Sequence, residues 1–121
     1  LSIWRPLLKP SAYCVVSECE WLKDERPDEA VKFWRENYPD MATRKENIAH
    51  AEAAGYAVLG THVLSAEGWD EYYGPIAQAI ADGRAACLGE DFARRLAEER
   101  VVYANGDQSF GYVFYVMRRV R

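Results

Sequence analysis

The chain alternates between stretches whose apolar residues recur at helical spacing and short runs of β-forming residues. The short runs predict three strands, at residues 13–21, 56–64 and 110–117. The helical stretches predict about five helices, at residues 1–9, 28–38, 44–54, 66–80 and 91–103. Because strands alternate with helices along the chain, we expect an α/β layer structure.

The first and last strands differ in how their apolar residues are arranged. Residues 13–21 begin as a continuous apolar run and turn polar toward Glu18 and Glu20, which predicts a buried, parallel strand. Residues 110–117 are apolar on both faces. A strand of that kind is covered on both sides, so we expect it at the centre of the sheet.

Several helix ends are marked by specific residues. Pro10 is expected to end the first helix. Thr43 with Glu46 three residues later has the spacing of a capping box. Gly55 stands where a helix ends in a left-handed residue. Pro75 lies inside a helical stretch, where we expect a kink or the first turn of a new helix.

Composition and charge exclude several classes of function. With 121 residues, half of them apolar, the chain is expected to form one domain over residues 1–121 with its own core. A net charge of −4 argues against general nucleic-acid binding, which needs a basic surface. No apolar run approaches the roughly 20 residues that cross a bilayer, and no signal-peptide pattern opens the chain. We therefore expect a cytoplasmic protein without membrane contact.

Cysteine and histidine residues form no recognisable metal or disulfide pattern. The three cysteines, Cys14, Cys19 and Cys87, are odd in number and not closely spaced, and the two histidines lie in no ligand motif. We therefore expect no disulfide framework and no metal. The chain starts at Leu1 without an initiator Met, within a predicted helix. This start fits a piece of a longer chain.

An ordered series of short motifs resembles the C-terminal portion of class I S-adenosylmethionine-dependent methyltransferases, in particular their small-molecule, type 11-like subgroup. The motifs cover nearly the whole chain and occur in the family's order. They are Leu8-Lys9-Pro10-Ser11-Ala12-Tyr13 with Val15-Val16-Ser17-Glu18, Phe33-Trp34 with Tyr38-Pro39, Ala54-Gly55-Tyr56, Trp69 with Tyr72-Tyr73 and Pro75, and Phe110-Gly111-Tyr112-Val113-Phe114-Tyr115.

The resemblance implies a fold and a cofactor. The fold would be the C-terminal part of a Rossmann-like methyltransferase, with two parallel strands and a last strand that is antiparallel and central. The complete family enzyme uses S-adenosylmethionine. Its first four strands, which carry the glycine-rich loop, have no counterpart here, and no G-x-G-x-x-G-like string occurs. We therefore expect no cofactor-binding residues on this chain and no activity from this chain alone.

The family pattern also has Gly-Gly where this chain has Ser11-Ala12. If that turn requires a positive φ angle, Ser11 is expected to be modestly strained, because only glycine adopts such angles freely.

Candidate site residues lie at the carboxyl ends of the first two strands, where open α/β sheets bind ligands. Glu18 and His62 are candidate catalytic bases. The alternative for Glu18 is a helix cap or an ion pair with a basic residue. The alternative for His62 is a hydrogen-bonded residue at a strand end, and Glu20 is expected to be solvated. A small-molecule methyl acceptor would also contact five aromatic residues, namely Trp21, Tyr38, Trp69, Tyr72 and Tyr73.

The aromatic residues also permit a purely structural interpretation. Trp69, Tyr72 and Tyr73 share one helix face, and such a stripe is either a core surface or a half-buried ligand surface.

Without the family's fourth strand, the first strand here would expose an unpaired edge. We expect this edge to pair with a second copy, giving a homodimer, or with a separate N-terminal half. The sequence therefore leaves two functions open: the acceptor-binding part of a methyltransferase, or a non-catalytic α/β ligand-binding or dimerisation module.

Overall fold

The computed structural model describes residues 1–120, which form three β-strands and four α-helices. The strands are β1 (Tyr13–Trp21), β2 (Tyr56–Val63) and β3 (Phe110–Arg119). The helices are α1 (Asp28–Asn37), α2 (Arg44–Ala53), α3 (Ala66–Ala81) and α4 (Glu90–Asn105). The predicted α/β class is confirmed, with one α-helix fewer in this part of the chain than the five expected.

The missing helix is the one predicted at residues 1–9. Only a short 3₁₀ turn forms there, at Arg5–Leu7. Ile3 and Leu7 are exposed, so the apolar side of this segment packs against little of the described chain. Because a short helix gains most of its stability from packing, helical spacing alone does not stabilise one here.

The sheet has the order β1-β3-β2, with the last strand at its centre as predicted. β3 pairs antiparallel with both neighbours, from Tyr13–Arg118 to Trp21–Phe110 on one side and from Tyr56–Arg119 to Val63–Val113 on the other. β1 and β2, which were expected to be parallel to each other, therefore run in the same direction. Every strand pair in residues 1–120 is nevertheless antiparallel, because β3 lies between them.

One face of the sheet packs against α2. Val113, Tyr115 and Met117 alternate along β3 and are buried, together with Ala51 of α2 and Tyr56 of β2. The capping box at the start of α2 is confirmed: the Thr43 side chain accepts from the Glu46 amide, and Glu46 accepts from the Thr43 amide. These contacts fix α2 across the central strand.

The opposite face is covered only toward the carboxyl end of β1. There α1, α3 and α4 pack an aromatic core that includes Trp34, Trp69, Tyr73 and Phe110. Trp69 is 1% exposed, and its ring stacks on Tyr103 with the centroids 4.0 Å apart. α3 runs unbroken through Pro75, so no new helix starts there.

The same face is bare toward the start of β1. Tyr13 and Val15 are 65% and 60% exposed, and Val116, directly opposite Val15, is also exposed. We call Tyr13, Val15 and Val116 the bare patch. The prediction that β1 is buried is therefore wrong for its first half, since no helix of the described residues covers these side chains.

The outer edge of β1 has a single β-bridge within residues 1–120, between Trp21 and Thr43, where the Trp21 amide donates to the Ala42 carbonyl at 2.9 Å. Because amides alternate in direction along a strand, those of Tyr13, Val15 and Ser17 also point outward. Ser11, just before β1, has a φ of 62°. The turn therefore has the positive φ on which the expected strain at Ser11 depended.

Candidate functional site

Two of the predicted site residues are in direct contact. The Tyr38 hydroxyl donates a hydrogen bond to Oε1 of Glu18. Glu18 lies on β1, on the sheet face that packs against α2, and Tyr38 is the residue at the C-terminal end of α1. The hydrogen bond to Glu18, followed by burial, raises the pKa of Tyr38 to about 12. The tyrosine is therefore a neutral donor that orients the Glu18 carboxylate.

This pair lines the α2 cavity, a space of about 640 Å³ between α2, β1 and the N-terminal segment. Val16, Ala51 and Met117 supply apolar walls. Polar groups beside the Glu18–Tyr38 pair are Asp40, Asn47 and His50. Mostly apolar walls with a few convergent polar groups are typical of small-molecule sites.

Glu20, predicted to be solvated, is completely buried, and that prediction is wrong. Its carboxylate accepts from Arg44 Nε at 2.8 Å, from Asn47 Nδ2 at 3.2 Å and from the Tyr115 hydroxyl. A buried carboxylate is tolerated when such partners replace its water. Burial, then the hydrogen bond to Glu20, raises the pKa of Tyr115.

The Glu20 network joins α2 to the sheet at the floor of the site. Arg44 and Asn47 are three residues apart and share one face of α2. This spacing in the sequence indicates a polar contact between α2 and the sheet. The strand register then identifies Glu20 as the partner.

Three predicted aromatic residues lie in the core instead of on an open rim. Trp21 packs edge-on against Phe110, and the Arg26 guanidinium lies 4.5 Å from the Trp21 ring centroid. Trp69 and Tyr73 are stacked and buried. The Tyr73 hydroxyl donates to Glu99 at 2.7 Å.

The remaining two predicted residues are separated from the Glu18–Tyr38 pair. Tyr72 is half-exposed and lines a smaller cavity between α1 and α4. His62 is exposed on β2. It pairs with Phe114 of β3, and both residues lie on the sheet face opposite α2. The structure therefore distributes the seven predicted residues over the α2 cavity, the smaller cavity, the core and the surface.

No group of three or more His, Cys, Asp or Glu residues in positions 1–120 is arranged to hold a metal ion. The turn after β1 contains no glycine, and the space beside Gly68, after β2, is filled by the Leu64 side chain. None of the helices in this part of the chain has the length and apolar character needed to cross a bilayer.

No family model and no curated protein matches the chain in sequence. Its fold does match solved structures with TM-scores of 0.62. Two are S-adenosylmethionine-dependent methyltransferases in complex with S-adenosyl-L-homocysteine, from Thiobacillus denitrificans (19% identity) and Geobacter sulfurreducens (18%). A third is YjhP from E. coli, at 20% identity.

These matches cover 93% of the chain but only 47% or 48% of the three solved proteins. The chain thus spans about half the length of the structures it matches, and it has the fold of the C-terminal portion of S-adenosylmethionine-dependent methyltransferases.

Proposed function

We propose that this chain is the acceptor-binding part of an S-adenosylmethionine-dependent methyltransferase that acts on a small molecule. The observation that carries the proposal is the fold match over 93% of the chain to the C-terminal portion of such enzymes. The cofactor would be held by the half of such an enzyme that this chain does not match.

The α2 cavity is the proposed acceptor site. Tyr38 occupies one oxygen of the Glu18 carboxylate, which leaves Oε2 to accept from an N–H or O–H group of the acceptor. In that position Glu18 orients the acceptor and takes its proton as methyl transfer proceeds. The apolar walls formed by Val16, Ala51 and Met117 would contact the body of a small, mostly apolar acceptor.

The first experiment compares residues 1–121 with the product of the complete reading frame that contains them. Calorimetric titration with S-adenosyl-L-homocysteine is expected to show binding to the complete product and none to residues 1–121. Micromolar binding to residues 1–121 would refute the assignment of the cofactor site to other residues. Failure of the complete product to bind would refute the methyltransferase function itself.

The second experiment tests Glu18 in the complete product. Glu18→Gln keeps the shape of the side chain and removes the base, so we expect methyl transfer to fall about 100-fold, within the usual range for general bases. Glu52→Gln, on the exposed side of α2, is the matched control and should keep full activity. Transfer of labelled methyl groups to a panel of small amines, phenols and thiols gives the readout. Equal activity of the two variants would exclude Glu18 as the base.

The outer edge of β1 favours a second function, pairing with another chain segment. Tyr13, Val15 and Ser17 direct backbone groups outward, and the bare patch lies beside them. We propose that a strand from the rest of the methyltransferase fold pairs here. Light scattering of residues 1–121 alone distinguishes the occupants: a dimer would indicate self-pairing, and a strict monomer at high concentration would count against an association-prone edge.

A further inference from the structure

The walls of the α2 cavity hold two carboxylates and no basic side chain that could neutralise them. Among the described residues that line this space of about 640 Å³, Glu18 and Asp40 carry the carboxylates, and none is lysine or arginine. The Arg44 guanidinium donates to the buried Glu20 carboxylate instead, at 2.8 Å. An acidic cavity of this kind attracts cations and repels carboxylates and phosphates.

Several hydrogen-bond donors in the same walls are already used within the protein. The Tyr38 hydroxyl donates to Oε1 of Glu18. The Tyr115 hydroxyl and Asn47 Nδ2 both donate to Glu20. The pKa of each tyrosine is raised, for Tyr38 mainly by its hydrogen bond and for Tyr115 mainly by burial, so both keep their protons in these contacts. A molecule in the cavity would therefore have to supply hydrogen-bond donors of its own.

Carboxylate oxygens remain available to accept from such a molecule. Glu18 is partly exposed, and its Oε2 has no hydrogen-bond partner among residues 1–120. Asp40 is exposed, and its charge contributes to the raised pKa of Tyr38, so it lies near the same hydroxyl. The Ser2 hydroxyl and the His50 ring can each accept or donate. The cavity thus offers acceptors and negative charge together.

We propose that the methyl acceptor carries a protonated amine, which donates to Oε2 of Glu18 while Asp40 adds to the attraction for its charge. Trp4 lines the same cavity, and aromatic rings attract ammonium groups. The inference rests on the proposed function in one respect, namely that the α2 cavity holds the acceptor. Binding of an amine there needs no cofactor and can be measured without one.

The test compares three probes that share a phenyl body and differ in the group at the end of a short chain. They are 2-phenylethylamine, which is an ammonium ion at neutral pH, the neutral 2-phenylethanol and the anionic 3-phenylpropanoate. Ligand-detected nuclear magnetic resonance with the complete product, in the absence of cofactor, gives the affinities. We expect the amine to bind about ten-fold more tightly than the alcohol, and the carboxylate not to bind at about 10 mM.

Variants assign this preference to the cavity. Glu18→Gln should weaken binding of the amine about ten-fold and leave the affinity for 2-phenylethanol nearly unchanged. Glu52→Gln, on the exposed side of α2, is the matched control and should keep the full preference for the amine. If Glu18→Gln does not fold, Asp40→Asn, at an exposed position, should still weaken the amine about three-fold.

Two results would overturn the inference: no binding of the amine at about 10 mM, or equal affinity for the amine and the carboxylate. The outcome is separable from that for the methyltransferase function. A product that binds S-adenosyl-L-homocysteine without preferring the amine would refute the amine inference alone. A product that prefers the amine but does not bind S-adenosyl-L-homocysteine would refute methyl transfer and support an amine-binding cavity.

Discussion

In β1, the apolar half of the strand is exposed, and the half that carries charged residues is buried. The first half, around Tyr13 and Val15, is apolar yet more than half exposed. The second half contains Glu18 and Glu20 and is the part that the helices bury. On the face opposite α2, Cys19 and Trp21 are covered by the aromatic core, whereas Val15 belongs to the bare patch.

This contrast shows that the burial of β1 depends on elements distant in sequence. On one face α1, α3 and α4 reach only the carboxyl half of the strand. On the other face Arg44 and Asn47 of α2 pair with Glu20 and keep a charged residue stable there. The apolar half has the composition of a buried surface without a cover in residues 1–120. It is therefore the part of β1 where another segment would gain most by packing.

Of the substitutions that test this contrast, one at the centre of the aromatic core should lower the free energy of unfolding most. Trp69→Ala leaves a cavity among Tyr73, Tyr103 and Phe110, and we expect it to lower the free energy of unfolding by about 4 kcal/mol. Urea denaturation followed by circular dichroism measures the loss. A loss below about 1 kcal/mol would mean that the second half of β1 is not stabilised by this core.

Neutralising the buried carboxylate should have the next largest effect. Glu20→Gln retains the volume but removes the charge that pairs with Arg44, so we expect a loss of about 2 kcal/mol, less than for a fully buried pair because Arg44 is partly exposed. Glu18→Gln, two residues earlier on the same face, is the control and should cost less than half as much in urea denaturation. Equal losses would contradict the separate structural role of Glu20.

A matched pair of hydroxyl substitutions compares the two halves of β1 directly. Cys19→Ser places a hydroxyl at a site that is 5% exposed and should cost about 1.5 kcal/mol. Val15→Thr makes a similar change at an exposed site and should stay within about 0.5 kcal/mol. Thermal unfolding of both variants gives the comparison. A larger loss for Val15→Thr would show that the bare patch is covered in solution.

The smallest effect concerns the Glu18–Tyr38 contact. Because folding raises the pKa of Tyr38 to about 12, its contribution to stability is complete below the unfolded value near pH 10 and is lost as the pH rises toward 12. Besides Glu18, Cys19 and Asp40 also raise this pKa. Unfolding curves between pH 9 and 12 should therefore decline less steeply for Tyr38→Phe than for the wild type. Identical slopes would show that the contact is absent in solution.

Local signals in the sequence predicted local structure well. Thr43 with Glu46 predicted a capping box, Gly55 predicted a left-handed helix end, and both are present, Gly55 with a φ of 88°. The two-sided apolar pattern of residues 110–117 predicted the central strand. In each case the interacting residues are close in sequence, or a single strand carries the whole pattern.

Predictions that depended on tertiary partners were less accurate. The helix at residues 1–9 did not form because little packs against it, and Glu20 is buried because Arg44 reaches it from another element. Glu18 and Tyr38 do meet, since the end of α1 returns to β1. A position near a strand end did not distinguish Glu18, which lines the α2 cavity, from His62, which lies on the surface.

The position of β3 has a consequence for the order in which the fold is made. Every strand pair in the described sheet includes β3, and Tyr13 near one end of the chain pairs with Arg118 near the other. Bringing Tyr13 to Arg118 closes a long loop, and such non-local pairing slows folding. Within residues 1–120, β1 and β2 have no sheet partner until β3 docks between them. The state before docking therefore exposes unpaired strand edges, which favour aggregation.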